Sequence, residues 1–189
     1  MTPETIFWRR VDGPGHEAGR LLSHGSGWRL AGTAVFSHDG DGCSLEYLIE
    51  CDAAWRTAAA RVSGWVGSRP VDLRVVADPA LRWRLNSAEC HVVEGCRDID
   101  LSFSPSTNLL PIRRLNLRPG EAAEIRAAWL RFPEFVLEPL DQVYSRIDLT
   151  TYRYESGRGA FQALLRTNAI GFVTSYPGLW EAVEAKQAQ

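Results

Sequence analysis

The sequence predicts a mainly β, single-domain fold over residues 1–189: a sheet, barrel or roll of many short antiparallel strands with a few short helices. Three observations predict it. Side chains alternate over short runs, most cleanly where Leu45, Tyr47, Ile49 and Cys51 interleave with Ser44, Glu46, Leu48 and Glu50. Clusters of Gly, Pro, Asp and Asn separate these runs. No long helical pattern intervenes between them, which excludes a layered α/β architecture. With 45% hydrophobic and 23% charged residues, the chain carries enough apolar material for one sizeable core.

In chain order, residues 28–36 read as a strand with Trp28, Leu30, Ala34 and Phe36 on one face. Gly32 within it marks a bend or a close approach. Asp39-Gly40-Asp41-Gly42 turns the chain into the strand that carries Leu45 to Cys51. Short strands follow at 55–62, 71–76, 81–85 and 90–93. Residues 121–130 are rich in helix formers, but Ile125, Ala127 and Trp129 alternate with Glu124, Arg126 and Ala128, and a strand is expected. A long strand at 142–154, a turn at Arg158-Gly159 and strands at 161–166 and 170–175 complete the sheet. Residues 179–186, after Pro177-Gly178, form the best helix candidate.

The chain is organised around the run from Cys96 to Leu117. On a strand, Ile99, Leu101 and Phe103 share one face and Asp98, Asp100 and Ser102 the other. Eight residues from Ser104 to Pro111 then exceed an ordinary hairpin loop of about two to five. Pro105, Pro111, Thr107 and Asn108 predict an ordered corner whose polar side chains satisfy backbone groups. If a second strand follows, Arg114 lies on the face that meets Asp98 or Asp100, forming a structural charge network of Asp98, Asp100 and Arg114. Arg113 lies in line with Leu115 and Leu117, so its charge must reach a rim, carbonyls or an anionic ligand.

Gly95-Cys96-Arg97-Asp98-Ile99-Asp100, then Pro105, then Thr107-Asn108-Leu109-Leu110-Pro111-Ile112-Arg113-Arg114-Leu115 resembles the signature of a bacterial family described as putative glycolipid-binding proteins. The similarity continues through Leu45-Glu46-Tyr47, Cys51-Asp52, Trp55, Gln142-Val143-Tyr144, Phe161, Ile170-Gly171-Phe172-Val173 and Tyr176-Pro177-Gly178. The resemblance implies a spiral β-roll, similar in shape to lipoprotein-carrier domains, with a strand at 121–130. It also implies a lipid or glycolipid ligand, held without catalysis in an apolar cavity of the roll. Trp65, Trp83 and Tyr144 are the candidate wall residues, and Asn108, Arg113 and Arg114 are placed near a polar head group.

A rival reading is a small glycosidase-like hydrolase using Asp98 and Asp100. Their Cα atoms would stand about 6.5 to 7 Å apart on a strand, a spacing from which carboxyl groups reach glycosidase separations. A nearby arginine would lower both pKa values and make either acid a poor proton donor. A filled interior would favour a packed scaffold, an open apolar trough a binding protein, and a cleft with an acid of raised pKa the enzyme. GxSxG, HExxH and Walker runs are absent, the four histidines lack ligand spacing, and no metal or cofactor is expected. A net charge of -2 with dispersed arginines argues against nucleic acid. The first residues lack a signal-peptide pattern, no apolar run reaches about eighteen residues, and the four cysteines show no CxxC spacing, so no transmembrane segment and a cytoplasmic location are expected.

Overall fold

Alternation turns one side chain in two inward along each run, and edge pairing joins fifteen strands into one continuous sheet in the computed structural model, which describes residues 3–183. The N-terminal half is a meander of β1 (Glu4–Arg10), β2 (Gly15–His24), β3 (Gly27–His38), β4 (Asp41–Cys51), β5 (Thr57–Val66), β6 (Arg69–Ala77), β7 (Trp83–Leu85) and β8 (Ala88–Glu89). The C-terminal half holds β9 (Ile99–Leu101), helix α1 (Leu109–Leu115), β10 (Ala122–Arg131), β11 (Val136–Arg146), β12 (Thr151–Ser156), β13 (Phe161–Thr167), β14 (Val173–Tyr176) and β15 (Trp180–Ala182). The last strand pairs with the first, Trp8 opposite Ala182, so the two meanders fuse at the middle of the sheet.

The free ends of the sheet curl back on the body. Thr57 of β5 donates its amide to the Arg97 carbonyl at 2.9 Å, and its hydroxyl accepts from the Ile99 amide at 3.0 Å. The edge strand β9, which pairs in parallel with β10, is thereby tied to the opposite meander. This is the spiral roll that the resemblance implies.

The inward faces follow the predicted alternation. Leu30, Ala34 and Phe36 of β3 are buried, as are Leu45, Tyr47, Ile49 and Cys51 of β4. Gly32 is a close approach: a Cβ there would stand 2.3 Å from Tyr47 Oη and 2.7 Å from the Ala18 carbonyl oxygen. Gly32→Ala should therefore destabilise the fold by roughly 1–3 kcal/mol in urea denaturation. An unchanged midpoint would show that Tyr47 moves aside freely.

The run expected at 121–130 is strand over Ala122–Arg131, as alternation and not propensity indicates, because all ten of these residues pair with β11. Other expectations are corrected. Residues 91–93 form a 3-10 turn instead of a strand. The long strand expected at 142–154 is two strands, divided by a turn in which Asp148 Oδ1 accepts the Thr150 amide. The expected helix at 179–186 is strand β15 over Trp180–Ala182, where β1 and β14 claim its backbone from both sides; residues 184–186 lie outside the described residues. Strands β1, β2 and β8 were not anticipated from the sequence.

Candidate functional site

The long connection after β9 is the centre of the molecule. Residues 103–112 are buried without a break, and they enter the roll as a plug. A polar backbone inside a roll must satisfy its own hydrogen bonds, and this one does so by coiling. Pro105–Asn108 forms a 3-10 turn, capped where Ser104 Oγ accepts the Ser106 amide at 3.1 Å, and α1 follows until Asn116 ends it in a left-handed conformation. Thr107 Oγ1 accepts the Leu101 amide at 3.3 Å, and Asn108 Nδ2 donates to the Pro105 carbonyl at 3.2 Å. The ordered corner expected from the sequence is present; the second strand expected after it is helix α1.

The helix changes the geometry of the two arginines but keeps the pairing. Arg114 turns inward and grips both carboxylate oxygens of Asp98, Nε at 2.9 Å and Nη2 at 2.5 Å. Asp98 is 1% exposed, so its carboxylate is sealed beneath a partly buried Arg114. Burial pushes the Asp98 carboxyl above the usual range, against the pull of Arg114. Asp100 is held by neither arginine; it accepts from Gln142 Nε2 at 2.6 Å. Burial, opposed by that bond and helped by Asp98, pushes Asp100 up to about 6. Arg113 turns outward, its guanidinium 5.0 Å from the centroid of Trp55, which stacks on Trp28.

A further acid, unmarked from the sequence, meets the plug on its other side. Glu17 of β2 is 1% exposed, and its Oε1 accepts from Tyr47 Oη and from Ser104 Oγ, both at 2.6 Å. Its Oε2 is buried with no partner among the described residues. Desolvation dominates and raises this carboxyl to about 7. One faint signal exists in the sequence, since Glu17 shares strand parity with Leu21, which is core.

Between the plug and the C-terminal meander lies a cavity of about 320 Å³. Asp100, Ser104 and Asn108 line its plug side; Trp129, Tyr154, Phe161, Tyr176 and Trp180 supply aromatic wall. Tyr154, Phe161 and Tyr176 form a mutual triangle with ring centroids 6.0 to 6.2 Å apart. Phe161 remains 38% exposed at the mouth. A wider depression of about 790 Å³ on the outer face runs over Phe7, Ala18 and Thr33, with Arg20 and Glu46 also lining it. Of the two, the cavity beside the plug joins an aromatic wall to a desolvated acid.

The six expected ligand residues do not converge on that cavity; Asn108 alone lines it. Its amide oxygen accepts from Tyr144 Oη at 2.8 Å, which places Tyr144 behind the wall as a support. Trp83 is sealed in the core with its indole on the Cys96 carbonyl, and Trp65 is 46% exposed on β5, remote in the sheet from β12 and β13. Arg113 and Arg114 are drawn off by Trp55 and Asp98. Asp100, an acid of raised pKa in a cleft, is the feature expected of the hydrolase, but its expected partner Asp98 is locked to Arg114 and does not line the cavity.

Comparison with known proteins agrees with this architecture. A family model described as putative glycolipid-binding matches residues 5–182. A crystal structure of a DUF1089 family protein from Pseudomonas aeruginosa is similar at TM-score 0.76 and 32% identity, over 88% of this chain and 91% of that one. A beta-barrel-like protein of domain of unknown function DUF1849 from Brucella abortus shares the fold at TM-score 0.53 and 6% identity, over 96% and 95% of the two chains. Nothing among the curated proteins matches the chain. No helix among the described residues is long and apolar enough to cross a membrane. The spiral roll, the plug that carries the signature run and the match over nearly the whole length agree: the chain belongs to the putative glycolipid-binding family.

Proposed function

We propose that the protein binds a lipid or glycolipid without catalysis, using the cavity beside the plug, in the cytoplasm. The observation that carries this reading is the cavity's division into an aromatic wall and a polar pole, Asp100 with Asn108. Ligand sites of about 300 Å³ stand at the small end of the usual range. The cavity therefore takes a sugar ring or the first stretch of an alkyl chain, and the rest of the ligand leaves past Ala160 and Phe161 at its mouth. Aromatic faces suit the apolar side of a sugar ring or an alkyl segment, while the polar pole orients whatever donors the ligand carries. The plug gives the wall rigidity, which lowers the ordering penalty of binding. Four unpaired cysteines, Cys43, Cys51, Cys90 and Cys96, suit a reducing compartment.

Native mass spectrometry of gently extracted protein, followed by tryptophan-fluorescence titration with a panel of glycolipids and alkyl glycosides, tests the proposal. Phe161→Ala should weaken binding by roughly tenfold, because it removes one aromatic side of the mouth. A protein that carries no amphiphile and ignores the whole panel would end this reading.

A further inference from the structure

Among the described residues, Asp100 is the single charged side chain in the lining of the cavity beside the plug. One of its oxygens accepts from Gln142; the other carries no hydrogen bond among the described residues, and the half-buried side chain lines the cavity. Its neighbours supply no positive charge. Gln142 on β11 is neutral, Tyr144, Tyr154 and Tyr176 are phenols whose pKa values burial drives upward, and Asp98, just before β9, is already matched by Arg114. An ionised Asp100 thus faces an aromatic wall with no counter-ion in place. Aromatic faces attract cations, and a carboxylate in a desolvated site does so more strongly than in water. A phosphate or sulfate head would meet Asp100 with like charge and find no arginine or lysine among the described residues of the lining.

We infer that the ligand of this cavity bears an ammonium group, on a sugar ring or on a lipid head, which pairs with Asp100 against the aromatic wall. The inference rests on the binding function proposed above and specifies the charge of the bound group. Binding is then stronger where Asp100 is ionised and weakens as pH falls through about 6.

The test compares dodecyl glucoside, dodecyl glucosaminide, dodecyltrimethylammonium and dodecyl sulfate by calorimetry below their micelle concentrations. At pH 7.5 the two ammonium probes should bind about tenfold more tightly than the glucoside, and dodecyl sulfate most weakly. At pH 5 the advantage of the ammonium probes should fall to about twofold or less. Asp100→Asn, which can still accept from Gln142, should bring the ammonium probes down to the level of the glucoside at pH 7.5. Should that variant fail to fold, carbon-13 NMR of wild-type Asp100 replaces it: a saturating ammonium probe should lower its pKa. A stronger response to the glucosaminide identifies an amino sugar, and a stronger one to trimethylammonium identifies a lipid head. Equal binding of glucoside and ammonium probes, or an Asp100 pKa that does not move, overturns this inference while leaving the binding function intact. Failure of every probe and of the glycolipid panel overturns both.

Discussion

Arg114→Met is expected to destabilise the protein by about 3–5 kcal/mol, because it strands the Asp98 carboxylate in a site with 1% exposure. That is a large share of the roughly 5–15 kcal/mol that holds a domain folded. Urea denaturation should show a much lower midpoint with little change in slope. Adding Asp98→Leu to Arg114→Met should restore stability to within about 2 kcal/mol of wild type, since an apolar pair of similar bulk needs no counter-ion. Arg113→Met should cost about 1 kcal/mol or less, because Arg113 is exposed and loses only its position over Trp55 and a long bond to the Ile170 carbonyl. A greater loss at Arg113 than at Arg114 would mean that the ion pair does not brace the plug.

The second large effect is a fall in stability between about pH 4.5 and pH 7 that belongs to Glu17. Its carboxyl is raised in the folded state from 4.5 to about 7, so the folded protein binds this proton more tightly than the unfolded chain does. The contribution is fully present below pH 4.5 and is lost as pH rises through about 7. The shift corresponds to about 3 kcal/mol. Asp100 adds a window of the same sign, from its ordinary 3.8 to about 6. Exposed pairs such as Asp52 with Arg56 and Asp141 with Arg126 pull the other way, since their carboxyls are lowered. Glu17→Gln isolates the single group. The stability change between pH 4 and pH 8, measured by urea denaturation at each pH, should differ from wild type by about 2–3 kcal/mol. Identical pH profiles would show that Glu17 has a counter-ion or water that neutralises its burial.

The site was legible in part. Asp98 with Arg114 was read as a pair from strand parity, and the pair exists, but a helix and not a strand delivers the arginine. The seven residues of α1 include Pro111 and fill less than two helical turns, so local pattern cannot separate helix from strand there. Burial decides it: inside a roll, a segment that pairs with no strand must close its own hydrogen bonds. Trp65 and Trp83 stand out among seven tryptophans by their neighbours, glycines beside Trp65 and arginines flanking Trp83, and such a pattern reports local context but not location in the fold. Tyr154, Phe161 and Tyr176 converge only because β12, β13 and β14 lie side by side. Glu17 escaped notice because an acid on a surface-like alternating strand carries no mark of its burial until Ser104 is folded against it.

Alternation with a period of two, and the turn residues between runs, determined by themselves that this chain builds a sheet and which residues of β3 and β4 face inward. Both are set by local sterics that any neighbour must respect. The tertiary structure alone decided that the first and last strands pair, that the signature run fills the roll, and where a cavity remains. Those outcomes depend on which distant backbone groups satisfy one another and on how much volume the plug leaves unfilled.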